Sequence, residues 1–157
     1  MGEAGTPDPG RVVGIALRTR AGGPMTEVPG ARAPQGGWLG GDHGGSERRG
    51  VTFLSREAWT RVNQDLGADL PWHVRRANVC VEGLDLPALI GRRVRVGQLV
   101  LDVLDETRPC DLMDEMHPGL QAALRPEGRG GVYGRVLEGG LLQIGDSIEI
   151  LPANADG

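Results

Sequence analysis

The chain has 157 residues, the length of one domain at roughly 100–200 residues each, and its 17 basic residues, all arginine, face 21 acidic ones for a net charge of −4. That balance excludes a general nucleic-acid-binding surface, and no apolar run approaches the roughly 18 residues of a membrane helix. Two cysteines form no disulfide framework and point to a reducing cytoplasm, while 27 Gly and 11 Pro predict a globular chain rich in turns.

Residues 1–10, with two prolines among them, read as a disordered tail ahead of a single domain over 11–153. Val12 to Leu17 is β-branched and bounded by glycines, which predicts a strand, and Met25 to Val28 is a short partner for it. From Pro29 to Gly50 turn formers dominate, with Gly at six of the ten positions 36–45. A run of that length without periodicity inside a compact domain is functional or mobile.

Val51 to Leu54 is the next strand and leads straight into Ser55–Gly67. Ser55 is a good N-cap and Gly67 a good stop, while Ala58, Trp59, Val62 and Leu66 make one apolar face. Strands follow at Asn78–Glu82, Arg93–Val96 and Leu99–Leu104, with one helical turn at Leu86–Ile90. Cys110 to Leu124 is helical in character and broken at Pro118; a run of short strands from Val132 to Leu151 closes the chain. About eight short strands with one good helix predict a mainly β fold, a small barrel-like antiparallel sheet with one long and one or two short helices packed on it.

Cys110 stands out chemically. It follows Glu106–Thr107–Arg108–Pro109 and opens the segment Asp111–Met116. A thiol at a helix start meets the positive end of the dipole, which favours the thiolate that attacks electrophiles or binds soft metals. Arg108 supports this, and Asp111 and Asp114 oppose it. By the local sequence alone, a small buried hydrophobe is the commoner outcome. Cys80 alternates with Val79 and Val81 and reads as a packed strand residue.

The loop Gly40–Gly45 offers the carboxylate of Asp42 and the imidazole of His43 on backbone free to make amide-exposing turns, although an ordinary surface loop has the same composition. Arg129–Gly130–Gly131 and Arg75–Arg76–Ala77–Asn78 each precede a strand, and guanidinium groups there suit a phosphate. No Gly-rich dinucleotide fingerprint, P-loop lysine or serine nucleophile elbow is present, which sets aside nucleotide-dependent and serine-hydrolase chemistry.

These segments share an order. Gly41–Asp42–His43, Gly50–Ser55, Arg76–Ala77–Asn78–Val79, Glu106–Thr107–Arg108–Pro109–Cys110, Arg129–Gly130–Gly131–Val132 and Gly145–Asp146 together resemble the MOSC domain over about residues 11–151. This is the C-terminal domain of molybdenum cofactor sulfurases, also found as small stand-alone bacterial proteins. The resemblance implies a β-rich barrel-like fold and gives Cys110 the family's cysteine position, as persulfide carrier or molybdenum ligand. It implies that Arg76, Arg129 or Arg135 holds the phosphate of the molybdenum cofactor (molybdopterin), in the same cleft as Cys110. Asp42, His43, Asn78 and Arg108 fall on neighbouring motif positions and are further cofactor-binding candidates.

The function so implied is a cofactor-binding or sulfur-carrier domain, working with a sulfur donor or a cofactor-acceptor protein. The alternative is a molybdenum-dependent reductase of N-hydroxylated compounds supplied by an electron-donor protein. The extra domains of larger members are not seen in this chain, so sulfur or electrons come from a partner.

Overall fold

A computed structural model describes residues 10–21 and 23–152. The expected tail at residues 1–9 lies outside the described residues, while Gly10 already belongs to the first strand.

Ten strands and three short-to-medium helices follow in the order β1 (Gly10–Arg18), β2 (Met25–Glu27), β3 (Gly30–Ala33), β4 (Val51–Ser55), α1 (Arg56–Leu66), β5 (Val79–Glu82), β6 (Arg93–Val96), β7 (Leu99–Glu106), α2 (Leu112–Met116), α3 (Leu120–Leu124), β8 (Val132–Glu138), β9 (Gly140–Gln143) and β10 (Ser147–Ile150). Single 3-10 turns sit at Trp72–Arg75, Leu86–Leu89 and Pro126–Gly128. The sheet runs β10-β6-β7-β8-β4-β5-β1-β2, and pairing of β10 with β1 closes its first seven strands into a barrel. Neighbours are antiparallel except β4 and β5, which run parallel with Phe53 opposite Val79. Helix α1 lies in the connection between these two strands, as a parallel pair requires.

Alternation along the strands fills the barrel with aliphatic side chains. Val51, Phe53, Val79, Val81, Leu101, Val103, Val132 and Ile148 all belong to this interior. A second core lies outside the wall, where Leu54 meets Trp59 and Val62 of α1, Met113 of α2, and Leu120 and Leu124 of α3. The predicted inward face of α1 is therefore real, and its target is the outer face of β4. Among the described residues, no helix is long and apolar enough to cross a membrane.

Strand β3 falls in the run expected to lack structure. It pairs with β9, Ala31 opposite Leu142, in a separate two-stranded sheet. Its sequence, Gly-Ala-Arg-Ala, carries no β-branched residue, and burial of Ala31 and Ala33 against the barrel core supplies what propensity does not.

Candidate functional site

The turn that carries Cys110 hangs from the end of β7 and is tied down on both sides. The Thr107 amide donates to the Gly131 carbonyl at 2.8 Å, and Met113 N donates to the Cys110 carbonyl at 3.0 Å. The Gln121 carboxamide reaches the Pro109 carbonyl at 3.4 Å. Cys110 itself is exposed and unpaired, and Cys80 is buried in β5. Helix α2 begins two residues after Cys110 and is only five residues long, so aligned peptide dipoles contribute less to this thiol than the sequence suggests.

The larger electrostatic feature is Arg75, which sequence reasoning passed over in favour of its neighbour. Its side chain ends the 3-10 turn Trp72–Arg75 and is 6% exposed. Nε donates to the Gly130 carbonyl at 3.1 Å and NH2 to the Thr107 carbonyl at 2.8 Å, while NH1 faces the Met113 sulfur at 3.8 Å. Among the described residues no carboxylate lies within ion-pair distance of it. Burial pushes its pKa down to about 10, a negative charge on Cys110 works against that fall, and the nearby Arg49 adds to it. Arg75 stays cationic at neutral pH, near enough to Cys110 to feel a charge on its sulfur. Gly130 permits this packing, because a Cβ there would lie 2.5 Å from the Thr107 carbonyl oxygen and 3.3 Å from Arg75 NH2.

Arg76, next in the chain, turns into a different neighbourhood. It takes a left-handed backbone (φ 69°), and NH2 donates to the Gly23 carbonyl at 2.9 Å. Burial lowers its pKa, Arg18 lowers it further, and Asp42 works in the opposite sense. Asp42 is itself buried: Oδ1 accepts from Arg18 N at 2.8 Å and Oδ2 from Gly44 N at 3.2 Å. This carboxylate fastens the Gly-rich loop to the end of β1. The His43 backbone amide joins the clasp by donating to the Arg18 carbonyl at 2.8 Å, and its residue is exposed.

Asn78 is buried where β5 begins. Its Oδ1 accepts from Thr52 N and Oγ1 at 3.2 and 3.0 Å, and Nδ2 donates to the Ala16 carbonyl at 3.3 Å. Those bonds join β1, β4 and β5. One register step along, Thr52 lies opposite Tyr133, over whose ring Arg48 and Arg49 stand at 5.7 and 4.8 Å. Arg49, standing on Tyr133, is also near enough to repel Arg75.

The other predicted arginines occupy separate settings. Arg129 NH1 donates to Asp65 Oδ2 at 2.6 Å and to the Ala123 carbonyl at 3.1 Å. Arg129 also lines a cleft of about 730 Å³ between the start of α1, Leu84–Pro87 and Glu106. Arg135 is exposed on β8, opposite Asp102 of β7. Arg108 is exposed and lines a smaller cleft of about 330 Å³ with Pro109, Leu124, Arg125 and Gly130. The residues gathered by direct bonds or mutual electrostatic influence are therefore Cys110, Arg75 and Arg49 in one group, with Asp42, Arg18 and Arg76 in the other. The peptide Arg75–Arg76 joins the two.

Unmatched donors mark both groups. Arg18 Nε, Arg76 Nε, Thr107 Oγ1 and, outside the two groups, Arg129 Nε are buried without a hydrogen-bond partner among the described residues. Buried polar atoms normally find a partner, and donors on arginine suit an anion such as phosphate. Among the described residues no three His, Cys, Asp or Glu side chains are placed to hold a metal ion. A metal at Cys110 would thus take one soft ligand from the protein and the rest from whatever it arrives with. This donor set fits an anionic, phosphate-bearing cofactor that brings its own metal ligands.

Comparison with known proteins supports the same frame. Among solved structures, the YuaD protein of Bacillus subtilis is similar at 20% identity and a TM-score of 0.79, over 91% of this chain and 96% of that one. YiiM of Geobacillus stearothermophilus gives 19% and 0.75, over 94% of this chain and 77% of that one. YiiM of Escherichia coli gives 15% and 0.69, over 93% and 72%. At these identities the likeness concerns the fold. No curated protein matches the sequence. The model of the MOSC domain matches residues 40–149, from the Gly-rich loop to β10, and the chain belongs to that molybdenum-cofactor-associated family.

Proposed function

We propose that this chain binds the molybdenum cofactor, or carries sulfane sulfur, with Cys110 as the metal ligand or persulfide carrier. The observation that carries the reading is the contrast between the two thiols. Cys110 is exposed on a tied-down turn beside a buried arginine, at the position that resembles the family's cysteine, whereas Cys80 is sealed in the sheet. A thiolate serves both tasks, as a soft ligand for molybdenum and as a nucleophile toward a sulfane sulfur donor. When bound, the cofactor would supply redox and oxygen-transfer chemistry at the metal. Arg76 is the best placed of the predicted arginines to hold a phosphate, since Arg18 stands beside it and both carry a buried Nε unpartnered among the described residues, whereas Arg129 is ion-paired with Asp65 and Arg135 is exposed on β8. Asp42 and His43 would shape the loop around that phosphate. The working partner is a protein that donates sulfur, accepts the cofactor or delivers electrons.

The test is purification from a host that makes the cofactor, followed by elemental analysis for molybdenum and assay of cyanide-labile sulfur. Near-stoichiometric metal or labile sulfur is expected in the wild type and neither in Cys110→Ser, with both proteins folded. Metal accompanied by reduction of N-hydroxylated compounds would identify the reductase form of the same site. A wild type free of both metal and labile sulfur would overturn the proposal.

A further inference from the structure

We propose that Arg75 is the positioning residue of Cys110, and that its buried, uncompensated charge selects anionic reaction partners at that sulfur. The geometry has two parts. First, the guanidinium spans the turn and the loop that flank the thiol, donating to the carbonyls of Thr107 and Gly130 and touching the sulfur of Met113 in α2. It thereby fixes the end of β7, the Gly130 loop and the first turn after Cys110 against one another.

Second, that task does not require a charge. A neutral amide such as glutamine donates to carbonyls without the desolvation that a buried cation carries. Burying a guanidinium with no carboxylate beside it among the described residues leaves a positive potential in a region of low dielectric, where it is weakly screened. Arg49, near enough to repel Arg75, and Arg108, two residues before the thiol, have the same sign, and both are exposed and screened by water. Carboxylates oppose that potential: Asp111, Asp114 and Glu115 are exposed and screened by water, Asp114 Oδ1 already accepts from Gln121 N at 2.9 Å, and half-buried Glu106 lines the cleft beside Arg108 and Gly130. As the buried charge among these groups, Arg75 would set the sign of the field at Cys110.

The inference rests on Cys110 being the reactive thiol, and competing alkylation of the full folded chain separates the two ideas. The same thiolate attacks iodoacetate and iodoacetamide and displaces iodide from each, so the thiolate fraction cancels from the ratio of their rates, and the ratio reads the local potential. At low ionic strength and neutral pH, the iodoacetate-to-iodoacetamide ratio at Cys110 is expected to be about tenfold higher in the native chain than in the urea-unfolded chain. Arg75→Met should return it to nearly the unfolded value, Arg75→Lys should preserve most of it, and high salt should reduce it in the wild type. A purely structural arginine would alter both rates together and leave the ratio unmoved. A native ratio equal to or below the unfolded one, in the wild type alone, overturns the proposal even if Arg75→Met does not fold. A ratio that depends on Arg75 in a protein that loads neither molybdenum nor labile sulfur would sustain the electrostatic inference and refute the cofactor reading.

Discussion

Cys80 and Cys110 show how one side chain takes opposite characters from its surroundings. Cys80 alternates with two valines of β5, and burial pushes its pKa up to about 12. The folded state therefore holds the thiol neutral while the unfolded state ionises at the ordinary value. Stability from this group is complete below about pH 9 and is lost as the pH rises toward 12. At about 1.4 kcal/mol per pH unit of separation, the loss approaches roughly 4 kcal/mol. In Cys80→Val, which is close in volume, urea denaturation midpoints should fall less steeply above pH 9 than in the wild type; parallel curves would show that another group controls alkaline unfolding. The burial of Cys80 was legible in the sequence, because period-two alternation is local. Arg75 was not, because its importance depends on carbonyls at Thr107 and Gly130, which only the tertiary fold brings to it. Asp42 was half legible: the loop motif marked it, but its bond to the amide of Arg18, 24 residues earlier, left no trace in local spacing.

At the scale of the element, α1 is the segment whose sequence most fully determines its shape. Ser55 Oγ accepts from Ala58 N at 3.1 Å, and Gly67 closes the helix in a left-handed conformation with φ 62°. A Cβ at Gly67 would touch nothing within 4 Å, so Gly67→Ala probes backbone strain alone. Ser55→Ala is expected to lose about 1 kcal/mol as a missing cap, and Gly67→Ala about 1 kcal/mol as a disfavoured left-handed alanine. The two sites are about 18 Å apart along the helix, at ~1.5 Å per residue, so the double variant should lose about 2 kcal/mol by urea titration. A markedly smaller double loss would mean that α1 frays as a unit and that its packing on Leu54 contributes little. Strand β3 is the converse case, since Gly30–Ala33 has the composition of a turn and is a strand only because β9 lies beside it. Local signals placed the caps and the apolar stripe; nothing local could announce an edge pairing across more than a hundred residues.

At the scale of the molecule, the barrel is closed by its two ends. Strand β1 meets β10 with Gly10 opposite Ile148 and Arg11 opposite Ser147. Val12 N then donates to the Asp146 carbonyl at 2.8 Å, and Gly145 N to the Val12 carbonyl at 2.9 Å. The other edge of β10 pairs with β6, and Ile148, 3% exposed, fills the interior beside Val96. The last strand thus holds the wall and the core at once. A chain ending at Ile144 keeps α1, the Cys110 turn and the Arg75 bonds intact in sequence, yet leaves β1 and β6 with bare edges and a gap in the barrel core. It is expected to lose the cooperative thermal transition, to bind a dye specific for exposed apolar surface, and to associate through the unpaired edges. Cys110 would then react at the rate of an unfolded thiol, because Arg75 holds the turn only while β7 and β8 stay paired. If the truncated chain instead melts cooperatively and keeps the native alkylation ratio, the wall β5-β4-β8-β7 with its helices is an independent unit, and closure serves a purpose other than supporting the site.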